Sequence, residues 1–541
     1  VTPFTPAVLL AVAAFPVTIQ VDAAKTRGEL VPIWRFFGAD EPNYATMKDG
    51  RKLLSALGEL RPRAVYFRTH NLLNTGDGTP ALKWGSTNAY TEDEQGKPVY
   101  DWRGIDRIFD AYLERGVRPY VQIGFMPKAL SRKPEPYQHE WRPGLPYGEI
   151  YTGWAYPPAD WDKWEELVYQ WVRHCLERYG KEEVATWYWE TWNEANIGYW
   201  KGTPEEFFRL HDRAVAAVRR ALPGARVGGP DMAGSDPKFL RAFIEHCFAK
   251  GTPLDFVAFH AKGSPKHVEG RVQMGIAAQL ATIDQGFATV ASFPQLKSTP
   301  IVIGESDPEG CAACQGPQLA YRNGTMYSSY TAASFARKHD LAEKHGVNLQ
   351  GALTWAFEFE DQPYFAGFRA LATNGIPLAV LNVFRMFAKM DGLRVAASSS
   401  AEVPLDTMLS AGVRGAPDVA AFASREAGRL SVMAWHYHDD DLPGPEAAVE
   451  LALQGLPSDV REATLSHYRI DENHANPYGE WRRMGAPIAP TRPQYEALEA
   501  SSRLALLEEP RRVSLADGSL SVAFALPRQA VSLVVLDWMK K

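Results

Sequence analysis

The chain has 541 residues, which is one very large domain or two to four ordinary ones at roughly 100–200 residues each. With 45% hydrophobic and 23% charged residues, and 43 Gly and 39 Pro, it has the composition of a globular protein with a core and not that of a low-complexity chain. The formal net charge of −6 is spread without blocks of like charge, which excludes a nucleic-acid footprint and a polybasic membrane patch, and 4 Cys are too few for a disulfide framework.

The run AVLLAVAAFP from Ala7 to Pro16 is too short for a membrane span, which takes about 20 apolar residues. It reads as the apolar region of a secretory signal with Ala11-Val12-Ala13 as the cleavage pattern, implying a periplasmic or secreted protein; without a signal the location is cytoplasmic. Val17 to Val21 (VTIQV) has the alternation and branching of a strand.

Beyond it, short apolar runs alternate with amphipathic stretches, the pattern of α/β units around a parallel sheet. Eight strands are expected, at 33–37, 64–69, 118–124, 186–192, 226–229, 255–260, 301–305 and 351–357. Among the intervening helices, 161–179 repeats Trp164, Leu167, Val168, Trp171, Val172 and Cys175 at spacings of three and four; 204–222 opens after Thr203 with Pro204 and two Glu. Eight such units predict a closed (β/α)8 TIM barrel; an open doubly wound sheet is the alternative, but no G-x-G-x-x-G follows the first strand. After Leu393 short alternating runs (429–435, 447–453, 512–515, 530–536) predict an accessory β-sandwich. The expected organisation is 1–31 as signal remnant plus a strand joining that sandwich, 32–392 as barrel and 393–541 as the accessory β-sandwich.

In such a barrel the chemistry sits at the C-terminal ends of the strands. Two ends carry carboxylates: TWYWETWNE ends in Asn193-Glu194, and IVIGE ends in Glu305. A glycosidic bond is hydrolysed by such a pair, about 5–5.5 Å apart in retaining enzymes and 6.5–9.5 Å in inverting ones. Nine of the 16 Trp fall between Trp141 and Trp200. Trp164, Trp171, Trp187 and Trp189 read as core, while Trp141, Trp154 and Trp200, on loops, are candidate platforms for sugar rings.

WRFFGADEPN from Trp34, YFRTH from Tyr66, IGFMPKAL from Ile123, WYWETWNEAN from Trp187, RVGGP from Arg226 and ALTWAFEFED from Ala352 resemble, in order, stretches of glycoside hydrolase family 39, the family of β-xylosidases and α-L-iduronidase. The resemblance implies a retaining mechanism with Glu194 as acid/base, Glu305 as nucleophile and Asn193 on the sugar 2-hydroxyl. It implies that His70 and His260 line the subsite and Trp355 floors it. Glu194, flanked by Trp192 and Ala195, is expected to stay protonated through desolvation, and Glu305 to stay charged through nearby donors.

Two positions resemble the iduronidase branch: Lys262, in His260-Ala261-Lys262-Gly263, and Arg369, in FRALATNG. Arg and Lys on one subsite would suit a sugar carboxylate. The expected activity is release of xylose-type residues from oligosaccharides, with an α-L-arabinofuranosidase or an iduronidase-like uronidase as alternatives and a non-catalytic carbohydrate-binding protein as the alternative of another class. Cys311 and Cys314 lack the further ligands of a zinc site and read as a loop staple or two free thiols. No metal or organic cofactor is expected, and neither a nucleic-acid nor a membrane partner.

Overall fold

A computed structural model describes residues 14–142, 145–311, 314, 316–356, 358–366 and 371–538. The signal-like segment up to Ala13, together with Phe357 and Arg369, lies outside the described residues.

In chain order the strands are β1 (Phe15–Glu29), β2 (Phe36–Ala39), β3 (Val65–Thr69), β4 (Val117–Ile123), β5 (Tyr188–Thr191), β6 (Arg226–Met232), β7 (Phe256–His260), β8 (Pro300–Glu305) and β9 (Asn348–Trp355). Strands β2 to β9 pair in parallel with their successors, and β9 returns to β2, closing the expected barrel. The outer helices are α1 (Lys48–Leu60), α2 (Arg103–Leu113), α3 (Trp161–Tyr179), α4 (Pro204–Ala221), α5 (Pro237–Lys250), α6 (Ile276–Ala291), α7 (Thr325–His345) and α8 (Leu381–Phe387). Their starts follow from local chemistry. The Asp160 carboxylate accepts from the Asp162 and Lys163 backbones ahead of α3, and Thr203 with Glu206 closes a capping box ahead of α4.

Side chains alternate along each barrel strand, so every second residue points inward. Phe36, Tyr66, Tyr120, Tyr188, Phe256 and Leu353 form an apolar, largely aromatic layer inside the barrel. Two residues further along β3 and β5 the same faces carry Arg68 and Glu190, and four residues beyond Phe256 on β7 stands His260, all buried. The interior therefore turns from aromatic to ionic one layer below the mouth.

Apart from three short two-stranded ladders in the loops, the remaining strands are β10 (Leu393–Ser399), β11 (Asp418–Glu426), β12 (Arg429–Tyr437), β13 (Ala447–Gln454), β14 (Glu462–Ile470), β15 (Ala505–Ser514), β16 (Leu520–Leu526) and β17 (Val531–Asp537). With β1 they form one nine-stranded sheet, ordered β15-β14-β17-β12-β11-β10-β1-β13-β16. Ile19, Val432, Leu451, Leu465 and Val534 share its core, so one continuous sheet supplies both walls. β1 runs antiparallel to β10 and parallel to β13, and Val17, Ile19, Val21 and Ala23 point into that core.

Between β14 and β15 the chain leaves the sheet as α9 (Pro477–Arg483) and α10 (Arg492–Ser501), which lie against the barrel. Tyr478 and Trp481 pack on Phe365, and Lys52 of α1 pairs with Glu499 at 2.6 Å. Buried Arg337 of α7 reaches Glu402 at 2.6 Å and Asp418 of β11 at 3.1 Å. Among the described residues no helix is long and apolar enough to cross a membrane.

Truncating Ile19, fully buried in β1, to Ala is expected to destabilise the protein by about 2–5 kcal/mol, whereas Gln20→Ala on the exposed face stays within about 0.5 kcal/mol. Urea unfolding of the full chain measures both.

Candidate active site

Glu305 is the last residue of β8, and Glu194 lies just past β5. Trp192 and Glu194 both take left-handed backbone conformations (φ 70° and 47°), a strain of roughly 1–3 kcal/mol each in non-glycine residues. The bend is held by the Glu194 N–H, which donates to the Asp231 carbonyl at 2.9 Å. It brings the Glu194 carboxylate into the mouth with 16% of its side chain exposed. A carboxylate oxygen of Glu194, one of Glu305 and a ring nitrogen of His260 lie within 4.8 Å of one another.

Arg68, with a side chain fully sequestered from solvent, lies beneath this pair. Its Nε donates to Glu190 Oε2 at 2.6 Å, its Nη2 to Asn193 Oδ1 at 2.9 Å while forming an ion pair with Asp231, and its Nη1 to His70 Nε2 at 2.8 Å, lying 3.5 Å from Glu305 Oε1. Because a guanidinium only donates, His70 Nε2 accepts, and His70 Nδ1–H donates to Asp40 Oδ1 at 3.0 Å. Glu190 also accepts from the Tyr120 hydroxyl at 2.8 Å. Glu190 and Asp231 divide their charge unequally. Burial, with the Asp231 carboxylate close by, pushes Glu190 up to about 8 against the pull of Arg68. Burial would also raise Asp231, but Arg68 and His260 hold it below its usual value. Burial thus favours a proton on Glu190 over one on Asp231.

His260 bridges the two carboxylate systems: Nδ1 donates to Glu194 Oε1 at 2.8 Å and Nε2 to Asp231 Oδ2 at 2.9 Å. Burial disfavours its charge, but Asp231 and Glu305 outweigh burial and push it up to about 10, so it is an imidazolium at neutral pH. Lys262 Nζ lies between Glu305 Oε2 at 2.8 Å and Asp307 Oδ2 at 2.9 Å. The donors expected around Glu305 are thus Lys262 and Arg68, with the charged His260 ring 3.7 Å away.

Both expected subsite histidines have their ring nitrogens engaged within the protein, so they can meet a ligand only with ring edges unless they rearrange. Trp355 is buried at the mouth, edge-on to His70 at 5.2 Å, and its backbone N–H donates to Asp307 Oδ1 at 2.9 Å. Its ring lies where a Cβ on Gly38 would be, so β2 needs glycine there; Gly304 likewise leaves room for the Asp231 carboxylate beside Glu305. Arg369 lies outside the described residues.

The loop tryptophans differ from expectation. Trp141, Trp154 and Trp200 are only 9%, 4% and 5% exposed, because each packs into an aromatic or apolar shell; Trp141 and Trp200 also donate to loop carbonyls. Trp154 alone retains a link to the mouth, lining a narrow cleft with Asp40, His70, Lys83 and Tyr199. Trp192 is fully buried, with Nε1 donating to the Tyr199 carbonyl. Cys311 and Cys314 form a disulfide in the loop after β8, and the buried Arg322 guanidinium donates to the carbonyls of both.

Sequence reasoning missed Arg68, Glu190, Asp231, Asp307 and Asp40. Arg68 had a signal, since Tyr66, Arg68 and His70 share one face of an apolar strand. The donor set of Glu194, His260 and Glu305 has the reach of a metal site, but both His260 nitrogens carry protons to carboxylates.

A closed parallel barrel with two carboxylates at this spacing, on the ends of opposed strands, defines a glycoside hydrolase. The sequence model of the family described as "Glycosyl hydrolases family 39" matches residues 17–518, and the chain belongs to that family. It is similar to a beta-xylosidase of Geobacillus stearothermophilus, 26% identical over 494 residues that cover 88% of this chain and 86% of the relative. It is also similar to the alpha-L-iduronidase of Mus musculus, 24% identical over 97% of this chain and 81% of the relative. The fold matches the crystal structure of a monomeric beta-xylosidase from Caulobacter crescentus with a TM-score of 0.76 and 21% identity, covering 97% of this chain and all of that one.

Because its pKa is raised in the folded state, His260 contributes stability that is whole below its unfolded value of about 6.5 and is lost as pH rises through about 10. The stability difference between the native chain and His260→Asn, measured by urea unfolding, is expected to be larger at pH 6 than at pH 10.5.

Proposed function

We propose that the chain is a retaining exo-glycosidase releasing xylose-type residues from oligosaccharides, with Glu305 as nucleophile and Glu194 as acid/base. The observation that carries this reading is the approach of the two carboxylates to within 4.8 Å, close to the spacing of retaining enzymes and short of the room an inverting enzyme needs for its water. The same spacing speaks against a purely sugar-binding scaffold.

Glu194 protonates the glycosidic oxygen while an oxygen of Glu305 attacks the anomeric carbon; the alcohol leaves and a glycosyl–enzyme ester remains. Glu194, now a carboxylate, takes a proton from water, the water oxygen attacks the anomeric carbon, and Glu305 is released. Lys262 and Arg68 keep Glu305 ionised, and the His260 imidazolium supports the charge that Glu194 acquires after giving up its proton. Asn193 is fixed through Oδ1 by Arg68, which leaves its Nδ2 as donor for the sugar 2-hydroxyl.

The likeness to a beta-xylosidase over most of both chains supports a neutral pentose. So does Lys262, whose ammonium is already matched by two carboxylates and is not a spare charge for a uronate. The likeness to an alpha-L-iduronidase keeps a uronide as the second reading.

Glu194→Ala is expected to lower turnover of glycosides with poor leaving groups by about 10²–10⁴-fold, to spare activated aryl glycosides and to respond to azide, whereas Glu305→Ala silences both substrate types. Steady-state rates that survive both substitutions would sink the assignment. On the pentoside reading, Lys262→Met lowers kcat on an aryl xyloside because Glu305 loses its partner. Loss on an aryl uronide with full activity on the xyloside would favour the uronidase.

A further inference from the structure

A cavity of about 400 Å³ lies between the barrel and the accessory module, bordered by α1, α8, α10 and the segment after β9. None of its lining residues belongs to the carboxylate site. Its volume falls in the range of small-molecule sites, roughly 300–1,000 Å³, and exceeds what a bare ion needs.

Its walls hold polar groups without protein partners. Glu358 is 1% exposed; its Oε1 accepts from the Gly375 N–H at 2.7 Å, while its Oε2 has no hydrogen-bond partner. Burial raises its pKa to about 8, the Gly375 N–H opposing and Asp49 adding, so it is a neutral acid at pH 7 with an O–H to give. A buried polar atom left unmatched costs about 1–3 kcal/mol, which a ligand atom would recover.

The cationic side is equally open. Arg385 of α8 donates through Nη1 to Asn382 Oδ1 at 2.8 Å and to the Ser502 carbonyl at 3.0 Å. Among the described residues neither Arg385 nor its neighbour Arg503 has a carboxylate within the 4.0 Å of an ion pair. Lys52, on the same wall, is by contrast matched by Glu499. Two guanidiniums therefore line one cavity, with Glu59 and Glu499 acting on them only from beyond ion-pair distance, and an oxyanion between them would be stabilised. Leu53, Ala56 and Pro377 add the apolar surface on which a sugar ring can lie.

We propose that this cavity is a second ligand site, separate from the carboxylate pair, for a small sugar acid, with the ligand carboxylate on Arg385 and Arg503 and a ring hydroxyl on Glu358.

Calorimetric titration of the full chain with glucuronate, inorganic phosphate and xylose tests this. Glucuronate is expected to bind at least about tenfold more tightly than phosphate or xylose, and to lose about tenfold in both Arg503→Gln and Glu358→Gln. Arg503 is exposed, so its substitution leaves the fold intact. Binding is also expected to survive Lys262→Met. Glucuronate binding no tighter than phosphate overturns the proposal, as does binding that both cavity substitutions leave unchanged or that Lys262→Met abolishes.

Discussion

A guanidinium with no access to water sits where the barrel interior opens into its mouth, and the candidate site is organised around it. Removing a charge from water costs several kcal/mol, so Arg68 is tolerable in β3 only because Glu190, Asp231, Asn193, His70 and Glu305 converge on it from five other positions. The balance is close: Arg68, Lys262 and the His260 imidazolium face Asp231, Asp307 and Glu305, while burial favours the neutral form of Glu190. Glu194 is the carboxylate left over. On the proposed reading it is also the group that must gain and lose a proton in every turnover, and it meets the surrounding field through a single histidine.

That arrangement explains which parts of the site could be read from the chain. Glu194 and Glu305 stand out because each follows an apolar run, and the ends of such runs are where a barrel presents side chains to a ligand. Asp231 and Asp307 have no such mark. One follows Pro230 and the other lies two residues past Glu305, and their meaning comes from what stands opposite them across the barrel, which no local pattern encodes. The loop tryptophans show the opposite failure: an aromatic residue on a loop looks available, yet Trp141 and Trp200 find partners within their own loops and are buried there.

The fold was more legible than the site. All eight barrel strands appear in the sequence as short apolar runs, with ends displaced by a few residues, because strands buried on both sides leave little room for polar residues. In the accessory sheet, Val17 to Val21 was readable from its alternation, but β10, β11, β14 and β16 were not. β11 (DVAAFASRE) is rich in Ala, a weak strand former, and β14 (EATLSHYRI) carries polar residues on its outer face and inside alike. Their identity as strands is conferred by neighbours in the sheet.

The placement of β1 has a consequence for how the molecule is made. It is the first described strand to leave the ribosome, yet its two neighbours, β10 and β13, are synthesised only after the whole barrel has been translated. An apolar strand edge must therefore wait, unpaired, through most of translation, an interval in which chaperones or early collapse onto the barrel would have to shield it. Once the last strands arrive, the two ends of the chain are knitted into one sheet. The sheet is then not a separable unit of vectorial folding.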